Sequence, residues 1–143
     1  MRLSILAAAA MLATAFAPRP GRAQTLDDAA LRTAARKAGE LREMVAVGEP
    51  FTGRLAAPAS TRWRVVLRAG RSYALAGRCE PGCRDLDLRL LGPDGAEVAA
   101  DVERDAEPLV RVVPRATGSY EVRAYMADCR APRCGFTVQL MTR

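Results

Sequence analysis

From Phe51 onward the apolar residues recur at every second position, in short runs cut by turn-forming residues, and this alternation constrains the fold more than any other feature. Trp63, Val65 and Leu67 share one face of a strand, while Arg62, Arg64 and Arg68 occupy the other. Ala69-Gly70-Arg71 turns the chain, and Tyr73, Leu75 and Gly77 resume the alternation. Leu86, Leu88 and Leu90 alternate with Asp85, Asp87 and Arg89, and Pro93-Asp94-Gly95 turns the chain into Glu97-Val98-Ala99. Leu109 to Val113 forms another run, Thr117-Gly118 leads into Tyr120, Val122, Ala124 and Met126, and Phe136, Val138 and Leu140 close the pattern. With Phe51 to Leu55 this makes about eight short strands separated by turns, which predicts an all-β fold: an antiparallel β-sandwich of jelly-roll type.

The first 50 residues read differently. Arg2 precedes an apolar run from Leu3 to Phe16, then a polar segment ending Gly21-Arg22-Ala23. Small residues three before and one before the cut fit signal-peptidase cleavage after Ala23, so residues 1–23 read as a cleaved export signal. The apolar run is shorter than the roughly 20 residues a membrane-spanning helix needs, so no transmembrane segment is expected after cleavage. Residues 24–48 read as a helix and linker. Thr25 can cap, Asp27 and Asp28 suit the positive end of the helix dipole, and Leu26, Ala30, Ala34, Leu41 and Val45 make a thin apolar stripe. Gly48-Glu49-Pro50 ends the helix, and residues 49–143 form the β domain.

Export changes the charge argument. The full chain carries 22 basic and 16 acidic residues. Arg2, Arg19 and Arg22 leave with the signal, so the remaining net charge is +3, short of a nucleic-acid footprint. An oxidising compartment, periplasmic or secreted, also bears on the four cysteines at 79, 83, 129 and 134. Four cysteines allow three pairings in principle. Each close pair brackets a proline-containing turn, which favours Cys79–Cys83 and Cys129–Cys134 as local turn staples rather than ties across the sandwich. The rival is a four-cysteine zinc site, for which these spacings are wider than the usual C-x2-C knuckle.

The order of features resembles the bacterial pre-peptidase C-terminal (PPC) domain and its small free-standing periplasmic relatives. The pieces are Phe51-Thr52-Gly53-Arg54-Leu55, Ala69-Gly70-Arg71-Ser72-Tyr73, Asp85-Leu86-Asp87-Leu88-Arg89-Leu90, Pro93-Asp94-Gly95, Asp101, and Gly118-Ser119-Tyr120-Glu121-Val122. The resemblance runs from about Phe51 to Leu140 and implies a non-catalytic jelly-roll sandwich that accompanies exported proteins. Some relatives bind calcium or extracellular polymers. No peptidase domain is read in these residues, and asparagine, which some calcium-binding relatives use, is absent from them.

The chain contains no histidine, which excludes Ser-His-Asp and Cys-His catalysis and imidazole proton shuttling. The serines beyond the signal, Ser60, Ser72 and Ser119, sit beside turns without a G-x-S-x-G elbow. No catalytic residue is assigned. Two polar groups remain. Asp85, Asp87, Asp101 and Asp105, with Glu80 and Asp94 nearby in sequence, could supply several of the six to eight oxygens calcium takes, or could be solvated carboxylates paired with Arg84, Arg89 and Arg104. Arg62, Arg64 and Arg68, with Arg111 and Arg123 as further candidates, could form a basic sheet face, with Tyr125 the one good exposed aromatic. The reading is therefore a non-catalytic binding or structural module for an envelope protein or polymer, with a calcium-dependent binding protein as the alternative.

Overall fold

The structure, a computed structural model, describes Arg32 and residues 35–143. The export signal, the Thr25 cap and the first part of the apolar stripe lie outside the described residues. A short helix, α1, covers residues 35–40. Nine strands follow: β1 Val45–Ala46, β2 Phe51–Leu55, β3 Ala59–Leu67, β4 Tyr73–Cys79, β5 Cys83–Leu91, β6 Glu97–Asp101, β7 Leu109–Val112, β8 Gly118–Cys129 and β9 Cys134–Thr142.

The strands form two antiparallel sheets packed face to face. Sheet A runs β1-β9-β4-β7, with β2 also paired to β9, and sheet B runs β3-β8-β5-β6. From β2 to β9 the β5–β6 hairpin alone stays within one sheet, and every other connection passes from one sheet to the other. The alternation read from the sequence explains the core. Leu86, Leu88, Leu90, Val122, Ala124 and Met126 point inward from sheet B and are fully buried, and Leu75, Val110, Phe136 and Val138 meet them from sheet A. Each of these side chains larger than alanine contributes about 2 kcal/mol of transfer free energy, so this shared interior holds the two sheets together.

The expectation of eight strands misses β1. The apolar stripe predicts a helix through Val45, but the helix unwinds after residue 40 in a run of i to i−3 bonds, Leu41 to Ala38, Arg42 to Gly39 and Met44 to Leu41. Gly39 weakens the last helical turn. Val45 and Ala46 instead pair with Thr142 and Met141 at the free edge of β9, and Val45 stays exposed.

Three devices close the sandwich. At the β2/β3 side, Phe51 of sheet A stacks on Trp63 of sheet B, ring centroids 4.0 Å apart. At one end the expected disulfides Cys79–Cys83 and Cys129–Cys134 are formed, with Cα atoms 5.8 and 5.9 Å apart. They are local in sequence, yet each joins a strand of sheet A (β4, β9) to one of sheet B (β5, β8), so the expectation that they do not tie the sandwich is corrected. A close pair on one turn does link layers when that turn is itself the crossover. At the β6/β7 side, α1 covers the opening.

Candidate functional site

The acidic group anticipated from sequence divides in two. In the β5–β6 ladder Leu88 stands opposite Asp101, so Asp101 shares the inward face of Leu88, whereas Asp87 lies on the outer face of sheet B. Asp101 is 8% exposed and meets Lys37 of α1, itself 6% exposed. The Lys37 ammonium donates to Asp101 Oδ2 at 2.9 Å, to Asp105 Oδ2 at 2.8 Å and to the Glu107 carbonyl at 2.9 Å, which uses all three of its protons. Asp101 also accepts the Leu109 N–H at 2.7 Å and the Glu103 N–H at 3.0 Å, and Asp105 accepts the Glu107 N–H at 2.8 Å.

Burial by itself would lower the Lys37 pKa, but the hydrogen bonds and charges of Asp105 and Asp101 outweigh it and hold the group above the ordinary lysine value. Burial likewise works to raise Asp101, and is outweighed by the Leu109 N–H, Lys37 and the Glu103 N–H, so its carboxyl sits below the usual range. Two of the four calcium candidates thus already hold a cation supplied by the chain. Lys37 is the one lysine of the chain, and that singularity is the only signal of this partner that the sequence carries.

Asp85 and Asp87 are half-buried on β5. Burial raises the carboxyls of both, and for Asp85 the charge of Asp87 adds to it. Asp85 lies opposite Asp128, and its Oδ1 is buried without a hydrogen-bond partner. Among the described residues no group of three or more acidic or cysteine side chains is arranged to hold a metal ion.

The arginine face is assembled on sheet B in a form that the sequence did not specify. Arg62 of β3 stands opposite Arg123 of β8, and Arg123 opposite Arg89 of β5, so three arginines line up across three neighbouring strands. Arg64 pairs with Glu121 in the next row, and Ser60, Tyr125 and Asp87 form the row on the other side. Arg62, Arg64, Arg89, Arg123 and Tyr125 are exposed. Arg89 bonds Glu97 at 2.7 Å and Arg123 bonds Glu121. That bond first, then the charges of Arg123, Arg62 and Arg64, lower the Glu121 pKa. An open recess of about 290 Å³ lies among Arg62, Trp63, Arg64 and Glu121. Arg68 falls just beyond the end of β3, and Arg111 lies on β7 in the other sheet, where it pairs with Glu40 at 3.4 Å. Arg89, absent from the predicted face, could have been found by extending the same alternation to the odd positions of β5.

A larger recess, about 590 Å³, runs between the segment after α1 and the end of sheet A. Four of the charges along it pair with one another, Glu40 with Arg111 and Glu43 with Arg143 at 3.1 Å, and Arg42 also lines it. No helix among the described residues is long and apolar enough to cross a membrane.

No protein-family model matches the chain, and no curated protein matches it. Among solved structures it is similar to Aeromonas hydrophila PliG, a periplasmic lysozyme inhibitor of g-type lysozyme. The identity is 11%, the TM-score 0.51, and the match covers 68% of this chain and 88% of that one. At that identity the likeness is one of fold.

Proposed function

We propose that the chain is an exported, non-catalytic β-sandwich module that binds an envelope protein or polymer through the outer face of sheet B. The observation that carries the reading is the row Arg62–Arg123–Arg89. Like charges set directly opposite on neighbouring strands oppose sheet formation, so folding alone gives no reason for the row. The absence of histidine, the segment read as an export signal and the two disulfides support an extracytoplasmic binding role over a catalytic one. The solved neighbour is itself described as a periplasmic inhibitor, a protein that works by binding. The PPC-like assignment belongs to the same proposal. In its favour, its sequence pieces fall in β2, the β3–β4 turn, β5, the β5–β6 turn and β8, and the orders β2-β9-β4-β7 and β3-β8-β5-β6 fit two interleaved Greek keys.

The test is expression of the full chain in a bacterium with a periplasm, followed by osmotic shock and sedimentation with isolated envelope. The protein is expected in the shock fluid and in the envelope pellet, without turnover of ester, peptide or glycan substrates. Arg62→Glu with Arg123→Glu should abolish sedimentation, while Arg78→Glu with Arg115→Glu should leave it intact. Sedimentation unaffected by the first pair, or turnover lost on mutating one carboxylate, would refute the reading. Turbidity assays of a g-type lysozyme with added protein decide whether the partner of the neighbour is shared.

A further inference from the structure

We propose that the arginine row on sheet B is a binding track for an acidic polysaccharide that carries one carboxylate per sugar ring and lies across the strands. This rests on the reading of sheet B as the binding face and names its ligand class. Arg62, Arg123 and Arg89 stand on consecutive strands. Neighbouring strands are about 4.8 Å apart, so the three guanidinium groups rise from bases spaced evenly over about 10 Å. A linear polymer with a charge on each successive ring suits that regular spacing, and a guanidinium takes a carboxylate in a two-point hydrogen bond; at Arg89 and Arg123 the ligand carboxylate shares or displaces the exposed bonds to Glu97 and Glu121.

The adjoining rows decide between polyanions. Ser60, Tyr125 and Asp87 flank the arginines on one side, and Glu121 lies beside Arg64 on the other. Tyr125, 40% exposed, offers a flat ring for a sugar face, and the Asp87 carboxylate accepts hydroxyl protons. Those same acids repel a ligand whose charges lie closer together than one per sugar ring, such as polyphosphate, and a densely anionic membrane surface. A single exposed tyrosine gives single-stranded nucleic acid little to stack on. The face therefore suits a polymer of modest charge density and many hydroxyls.

Trp63 borders the recess beside Arg62 and Arg64 and is the one tryptophan of the chain, so its fluorescence reports occupancy. The experiment titrates the protein, purified after export of the full chain, with polygalacturonate, and in parallel with neutral dextran, polyphosphate and phosphatidylglycerol vesicles. Polygalacturonate should shift the emission with an affinity that falls as salt is added. Arg62→Glu with Arg123→Glu should weaken it at least about tenfold, Arg62→Lys with Arg123→Lys should give an intermediate loss, and Arg78→Glu with Arg115→Glu should change it less than about twofold. Circular dichroism and melting of each variant show that it is folded. Absence of polygalacturonate binding, equal or tighter binding of polyphosphate or vesicles, or a charge-reversed pair that binds like the parent overturns the inference. Envelope sedimentation that depends on Arg62 and Arg123 without polygalacturonate binding sinks this inference alone; sedimentation indifferent to both arginines sinks the binding-face reading with it.

Discussion

Replacing Lys37 with methionine keeps the side-chain stem but removes the ammonium that three oxygens share. If α1 stayed in place, Asp101 would be left buried with its two backbone donors and no cation. Stranding one member of a buried ion pair costs about 3–5 kcal/mol. The other ties of α1 are weaker: Arg36–Glu103 at 3.6 Å and Glu40–Arg111 at 3.4 Å involve exposed arginines and contribute at most about 1 kcal/mol each. The stranded charge therefore outweighs what remains, and the helix should leave so that water reaches the carboxylates. The global cost is then limited to the docking free energy of the helix, about 1–2 kcal/mol, rather than the full penalty. Trypsin should cut the variant rapidly at Arg36 and Arg42 while the β-sandwich persists, with a drop in melting temperature of about 5–10 °C. Unchanged protection at Arg42, or collapse of the whole sandwich with a loss of 3 kcal/mol or more, would refute the reasoning. The sign with pH follows from the two shifts. Asp101 is depressed in the fold, so its contribution is present above the unfolded carboxylate pKa of about 4 and is lost as pH falls through the folded value. Lys37 is raised, so its contribution is full below about pH 10.4 and is lost as pH rises through the folded value. Protection at Arg42 should hold between those limits and fail beyond both.

Four further outcomes are expected. Millimolar calcium should leave melting temperature and titration heat unchanged, because Lys37 already occupies Asp101 and Asp105; a clear rise in melting temperature would show that the ion displaces it. Changing Cys129 and Cys134 to serine should lower stability by about 2 kcal/mol on the loop-entropy model, and urea unfolding at pH 7 measures it. Gly77→Ala should destabilise by about 1–3 kcal/mol, since its Cβ would lie 2.6 Å from Pro108 Cγ and 3.3 Å from Leu88 Cδ1; a neutral result in thermal melting would mean that Pro108 yields freely. Asp85→Asn should raise the melting temperature at pH 7, because its folded pKa is raised and the ionised form opposes folding there. That gain should vanish below about pH 4, where the parent carboxyl is protonated in both states.

How much of this was legible in the sequence follows the range of the interactions involved. Strands β2 to β9 were readable because a period of two reports which residues face inward, and Leu86-Asp87-Leu88 carries that report whatever lies across from it. β1 was not, since Val45 and Ala46 are strand only because β9 offers an unpaired edge about a hundred residues away. The disulfide partners were readable from spacing, but their function as ties between the sheets depends on which turns cross the sandwich. The acidic group failed on register. Asp87 and Asp101 lie on opposite faces of one hairpin because Leu88, not Asp87, is the residue opposite Asp101. The basic face was half readable: β3 shows its own arginines, while Arg123 and Arg89 join them only through the pairing of three strands.

Whether a charge is explained by the fold around it sharpens where function should be sought. At the β6/β7 side the conspicuous carboxylates are bound to Lys37, and at the end of sheet A Glu40 and Glu43 pair with Arg111 and Arg143 across the recess. Those groups have structural explanations, and altering them should change stability or the docking of α1 first. The row Arg62–Arg123–Arg89 differs in kind. Its charges repel one another, Glu97 and Glu121 offset only part of that repulsion, and nothing in the packing requires arginine on an exposed sheet face. Reversing Arg62 and Arg123 should therefore cost little or no stability while removing binding, the opposite of the Lys37 pattern. Measured together, melting and binding for the two kinds of variant separate what holds this sandwich shut from what it presents to a partner.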